Sequence, residues 1–188
     1  MLSIRGGAGP VRLLSTFRRR TASARVVTLS GCVYLVSQLI IAHILDPLGP
    51  LEVLRAQTTL DPSVVETIFA RWRAEHLMDA YVRHYFLDFV HPALYAVFLG
   101  SSLSLLLDRN RLPDAWNVLL LMPIVAALCD LVENLSHVAF LADGANLTPA
   151  WVVISGVAAI TKWLLAAGSL ASIALLALRA RTTGGVRA

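Results

Sequence analysis

Four charged side chains stand inside runs of apolar residues: Asp88 in His84–Leu107, Asp130 and Glu133 in Trp116–Leu141, and Lys162 in Trp151–Leu178. Lys162 is the chain's single lysine; the rest of its 16 basic residues are arginines. An isolated charge at the centre of a bilayer costs about 2.5–3.5 kcal/mol on insertion scales, so these groups are expected to face one another or a wet cavity. Carboxyls held beside an ammonium and histidines are the parts of an acid/base site. Glu133 or Asp130 would give or take the proton, Asp88 would share or compensate charge, and Lys162 would set their proton affinities.

Spacing groups these residues further. Asp88, His91 and Tyr95 stand at steps of three and four, and Asp130, Glu133 and His137 repeat those steps, so on continuous helices each trio shares one face. Asn134 adds an amide beside Glu133 that can bond across helices or to a ligand. With a rise of about 1.5 Å per residue, Asp88 and His91 fall roughly 6–11 Å below the outer surface, and Asp130, Glu133 and Lys162 roughly 12–17 Å. Two such faces and Lys162 would make a pocket in the outer half. Three acids against one lysine leave negative charge in excess. Either carboxyls keep protons, histidines carry charge, or a cation binds.

Other readings use the same residues. Lys162 paired with Asp130 or Glu133 could lock helix register, alone or with a partner subunit or second copy of the chain. A proton-coupled transporter could use the acids, although the sequence shows no matching polar track in the inner half. A metal site is not expected, because neither HExxH nor paired ExxH occurs and Lys162 would oppose a cation. No cofactor is implied.

The elements that must position these groups are helices. At 188 residues, 57% hydrophobic and 15% charged, with mean hydropathy +0.69, the chain is too apolar for an ordinary soluble domain. Four segments reach the roughly 20 apolar residues a spanning helix needs: 26–45, 84–107, 116–141 and 151–178. Between the first two, Asp61-Pro62 reads as an N-cap and first helical residue. Val65, Ile68, Phe69, Trp72, His76 and Met78 then recur at helical steps, which gives an amphipathic helix over about 62–83, an interfacial anchor or a lid. Pro92 and Pro123 are expected to bend the second and third spans. The fold expected is therefore all-α: one antiparallel four-transmembrane-helix bundle over 26–178, with an amphipathic helix in its first outer loop.

Arginines orient it. Residues 1–25 hold six arginines and no acid, the 108–115 loop holds Arg109 and Arg111, the 179–188 tail holds three, and the 142–150 turn has none. Both termini are then cytoplasmic under the positive-inside rule, with 1–25 a disordered basic arm and the bacterial inner membrane the expected location. The same arm also has the composition of a mitochondrial transit peptide, which would place the protein in an organellar membrane. The net charge of +4 is explained by topology, so no nucleic-acid partner is expected. Cys32 and Cys129 lie within spans and read as small apolar residues. No GxSxG, P-loop, dinucleotide fingerprint or CDP-alcohol transferase pattern occurs.

Three strings, Leu87-Asp88-Phe89-Val90-His91-Pro92 with Tyr95, Asp130-Leu131-Val132-Glu133-Asn134 and Thr161-Lys162-Trp163, resemble the LDxxxPxxY, DxxEN and KW pattern of a group of small four-span bacterial membrane proteins. The resemblance covers about 61–165 and implies that Asp88, Tyr95, Asp130, Glu133, Asn134 and Lys162, with Trp163 beside them, form one site. His91 stands where that group is usually apolar. In topology the chain also looks like the emopamil-binding protein group, which includes sterol isomerases and has four or five spans, a sizeable first loop and intramembrane acids. The placement of the charges gives the expected function: a membrane-embedded pocket for a lipid-like or isoprenoid-like molecule, with acid/base isomerase or hydrolase chemistry and the bilayer itself as the other partner.

Overall fold

The computed structural model describes residues 10–184. Arg5 and Arg187 of the expected arm and tail lie outside the described residues. Helices account for nearly all of the rest, and no strand occurs among the described residues.

Each helix begins where local chemistry allows it. Helix α1 (Pro10–Thr21) has proline in its first position. Helix α2 (Ala24–Leu45) is capped by Ser23, whose hydroxyl accepts from the Val26 amide at 3.2 Å. Gly49, at φ 80°, turns the chain into α3 (Pro50–Thr58). Asp61 caps α4 (Pro62–Ala74) by accepting from the Ser63 amide at 2.9 Å, as the Asp-Pro pair predicts. Helix α5 (Met78–Asp88) leads to α6 (His91–Arg109), a 3₁₀ stretch over Asp114–Leu120 leads to α7 (Leu121–Ala142), and Pro149 opens the long α8 (Pro149–Gly184).

Three helical segments, Ala24–Leu48, Asp114–Ala142 and Pro149–Thr182, are long and apolar enough to cross a membrane, and α5 with α6 make a fourth if that pair, bent by 48°, is one span. Large apolar side chains face outward on them, including Leu29, Leu39, Leu135, Leu164 and Leu175. Such a surface suits lipid and not water, so the fold is that of an integral membrane protein.

Three local expectations are corrected. The first arm is not disordered from Pro10 onward. Helix α1 packs on α6 and the 3₁₀ stretch because Arg18, 6% exposed, is held by Asp108, Asn117 and the Leu112 carbonyl. The helix expected over 62–83 is broken at His76, which takes φ 57°, so 78–88 belongs to the bent pair instead. Pro123 lies in the first turn of α7, behind the 3₁₀ stretch, where a missing N–H breaks little.

In two of the packed pairs the side-chain contacts run antiparallel. Along α7 and α8, Met122 meets Gly168 and Asp130 meets Lys162; along α2 and α6, Ser30 meets Ser101 and Ser37 meets His91. Gly156 permits another close approach, because a Cβ there would run into the backbone oxygen of Thr59. Two apolar clusters result. One joins Leu48, Val65, Phe69, Trp72, Phe140 and Val152; the other joins Leu103, Leu107, Leu120 and Leu176 with Leu14 and Phe17 of α1. Along α7 and α8 the charged residues fall between the contributions to these clusters, so the polar groups form a layer between two greasy ends.

Candidate functional site

The layer is centred on Lys162. Its Nζ donates to Asp130 Oδ1 at 2.7 Å and lies 2.6 Å from Glu133 Oε2; only the first contact is also aligned as a hydrogen bond. Asp130 and Glu133 are one turn apart on α7, so both reach across to α8 from one face. Lys162 is 8% exposed, Asp130 4% and Glu133 0%. Lys162 of α8 thus stands between the two acids that share a face of α7.

Asp88 arrives by a different route. Pro92 has no N–H to give to the carbonyl four residues back, which is that of Asp88, and the helix breaks over Phe89 and Val90. Asn134 supplies the missing donor: its Nδ2 bonds to the Asp88 carbonyl oxygen at 3.0 Å. The amide beside Glu133 therefore holds the bend, and the bend delivers the buried Asp88 side chain to the cluster, where it senses both Asp130 and Lys162.

The break also undoes the expected face of Asp88, His91 and Tyr95. His91 opens α6 and turns toward α2, where Nδ1 pairs with the Ser37 hydroxyl at 2.8 Å and the ring lies 5.4 Å from that of Tyr34. Tyr95, half-buried, reaches the Asp130 carboxyl. His137 lies one turn beyond Glu133 toward the α4 end; its Nδ1 pairs with the Tyr81 hydroxyl at 2.8 Å, and Phe69 and Phe140 flank its ring. Trp163 is 51% exposed and faces away from the cluster, although Lys162 Nζ lies 5.6 Å from its ring centroid.

Helix α5 contributes groups that the charge pattern does not single out. Tyr81, His84 and Tyr85 are buried beside Asp88. The Tyr85 hydroxyl donates to that of Tyr81 at 3.0 Å, His84 Nδ1 bonds the Tyr81 carbonyl, and His84 Nε2 stands 3.8 Å from Asp88 Oδ2. Their signal is present in the sequence: 81, 84, 85 and 88 follow a helical face. Ser37 has no such signal, being one hydroxyl in an apolar run. Over these groups lie Phe69 and Trp72 of α4, both fully buried, with Trp72 4.8 Å from the Tyr81 ring.

Among the described residues, several buried polar atoms of the cluster have no partner, Glu133 Oε1, Asn134 Oδ1 and His84 Nε2, while Glu133 Oε2 is met by the Lys162 ammonium. The groups of the cluster are buried, with Asp88, Asp130, Glu133 and Lys162 each under a tenth exposed. Depressions of about 450 and 440 Å³ lie elsewhere, one beside Glu52 and Arg71, the other between Arg109 and Arg181. Among the described residues no three His, Cys, Asp or Glu side chains are gathered as a metal's ligands would be.

Chemically, the arrangement gathers groups that can share protons: three buried carboxyls lie near one ammonium, and beside them Tyr85, Tyr81 and His137 form a separate hydrogen-bonded chain under α4. No protein family, curated protein or solved structure matches the chain.

Proposed function

We propose that the chain is a four-span membrane protein whose buried acid/base site takes the polar end of a lipid-like or isoprenoid-like molecule and exchanges a proton with it. In this reading α2, the bent pair α5–α6, α7 and α8 are the four antiparallel spans. The arginine-rich termini are cytoplasmic, in the bacterial inner membrane or its organellar counterpart. Helix α4 is the amphipathic cap of the outer end, its Phe69 and Trp72 closing the site. Glu133 or Asp130 handles the proton, Lys162 compensates the charge left behind, and Asp88 with His84 stands as the second acid/base pair.

One observation carries the proposal. Glu133, Asn134 and His84 each leave a buried polar atom unpartnered within a single cluster, where a cluster built only for stability would satisfy its groups. A hydroxyl or carbonyl of a bound amphiphile could supply those partners. The test is native mass spectrometry with lipid extraction on the purified protein, wild type against Glu133→Gln and Lys162→Met. A stoichiometric amphiphile in wild type, lost in folded Glu133→Gln, is expected; an empty wild type defeats the proposal.

A second reading has its own support. The site is closed, and Lys162 is already held by two carboxyls, as a helix-register lock would require. It predicts that replacing Lys162 and both of its acids with apolar residues restores the stability lost in Lys162→Met alone.

A further inference from the structure

The opposite end of the molecule poses another charge problem. Among the described residues, 10–25 hold five arginines, 108–115 two and 179–184 two, whereas Asp108 and Asp114 are the acids of those segments. Both acids are engaged by Arg18, at 2.6 and 3.9 Å. The α4 end has the reverse balance, with seven acids and four arginines over 46–83 and 143–150. The arginine end is therefore strongly positive, with its carboxylates already committed.

A groove of about 440 Å³ opens there between α6 and α8, lined by Leu106, Arg109, Ala177, Ala180 and Arg181. Asn110 ties its walls together: its Nδ2 donates to the carbonyls of Leu106 at 2.8 Å and Leu176 at 2.9 Å. The two arginines thus project from helices locked side by side. Neither has an acidic partner among the described residues. Next to them the groove is apolar, and α8 continues toward the bundle centre with Leu170, on the face of Ala177, 55% exposed. A cationic mouth above a greasy wall, at the end of spanning helices, matches an amphiphile with an anionic head. A soluble phosphate would leave the apolar wall unused, and a zwitterionic lipid would bring its own cation against the arginines.

We propose that this groove is a binding site for an anionic phospholipid, its phosphate between Arg109 and Arg181 and an acyl chain along Leu106 and Ala177. The site is independent of the acid/base cluster. Guanidinium groups suit it because their planar forks pair with two phosphate oxygens at once.

The test uses the full chain in detergent, titrated with phosphatidylglycerol or phosphatidylcholine and read by native mass spectrometry. Wild type should retain phosphatidylglycerol in preference to phosphatidylcholine. Arg109→Gln/Arg181→Gln should weaken phosphatidylglycerol retention about 30-fold. Arg12→Gln/Arg19→Gln removes equal charge from exposed positions of α1 and should change it less than about threefold. The single variant Arg181→Gln, at an exposed helix end, should cost about fivefold and serves if the double variant fails to fold. Equal retention of the two lipids by wild type overturns the proposal. So does wild-type binding by the groove variants, or an equal loss in the α1 control, which would mean diffuse attraction. The amphiphile proposed for the Glu133 site should survive in Arg109→Gln/Arg181→Gln, which separates the two sites.

Discussion

Arg18 and Lys162 are each a buried cation facing two acids, and they differ in where the acids end. The side chains of Asp108 and Asp114 are 48% and 70% exposed, whereas those of Asp130 and Glu133 are 5% and 0%. Arg18 also spends its donors one by one: Nε on Asp108, Nη1 on Asn117, Nη2 on the Leu112 carbonyl. Around Lys162, acceptors are left over. Excess negative charge beside Arg18 is solvated by water; beside Lys162 it must be met by a proton or a ligand. A cation between two carboxylates thus makes a solvated clamp at one end and a buried charge cluster at the other.

The comparison can be broken most directly at Lys162. Lys162→Met strands two buried carboxyls and should destabilise the protein by about 3–5 kcal/mol, measured by unfolding in detergent. Arg18→Met should cost less, about 1–3 kcal/mol, because its acids reach water. Hydrogen exchange in that variant should rise in α1 and stay unchanged around Glu133. If Arg18→Met proves the more damaging of the two, the contrast drawn from exposure is wrong.

A subtler probe is the bend. Asn134→Leu leaves the Asp88 carbonyl without its donor and should cost about 1 kcal/mol. Pro92→Ala returns a backbone N–H to that carbonyl, so the double variant should be more stable than Asn134→Leu alone; no relief would mean that Asn134 does not hold the break. The smallest stability effect is expected for Glu133→Gln, within about 1 kcal/mol of wild type because shape is kept. Its loss of bound amphiphile is the sharper signature. A Gln variant that is stable and still loaded would return the cluster to a purely structural role.

Much of the helical plan was legible from the sequence. Runs of apolar residues long enough to span a bilayer show themselves without tertiary information, and α2, α7 and α8 fall where those runs predict. The Asp61-Pro62 start of α4 was equally local, since capping depends on neighbours two or three residues away. Reading failed where a helix was assumed continuous. The bend of the second span was expected at Pro92 and is found there; that the helix stops over Phe89 and Val90, where Asn134 of α7 takes the Asp88 carbonyl, was not.

By itself, the sequence determined that charges inside apolar runs had to meet, because a low-dielectric layer gives a lone charge no other partner, and it determined that Asp130 and Glu133 share a helix face. Tertiary structure alone decided which groups meet. It set Asn134 on the Asp88 carbonyl, drew His91 away to Ser37, brought Tyr81 and His84 into the layer, and folded α1 back through Arg18. Each of those contacts joins residues on different helices or turns on the α5–α6 bend, and helical periodicity carries no information about how one helix is rotated against another.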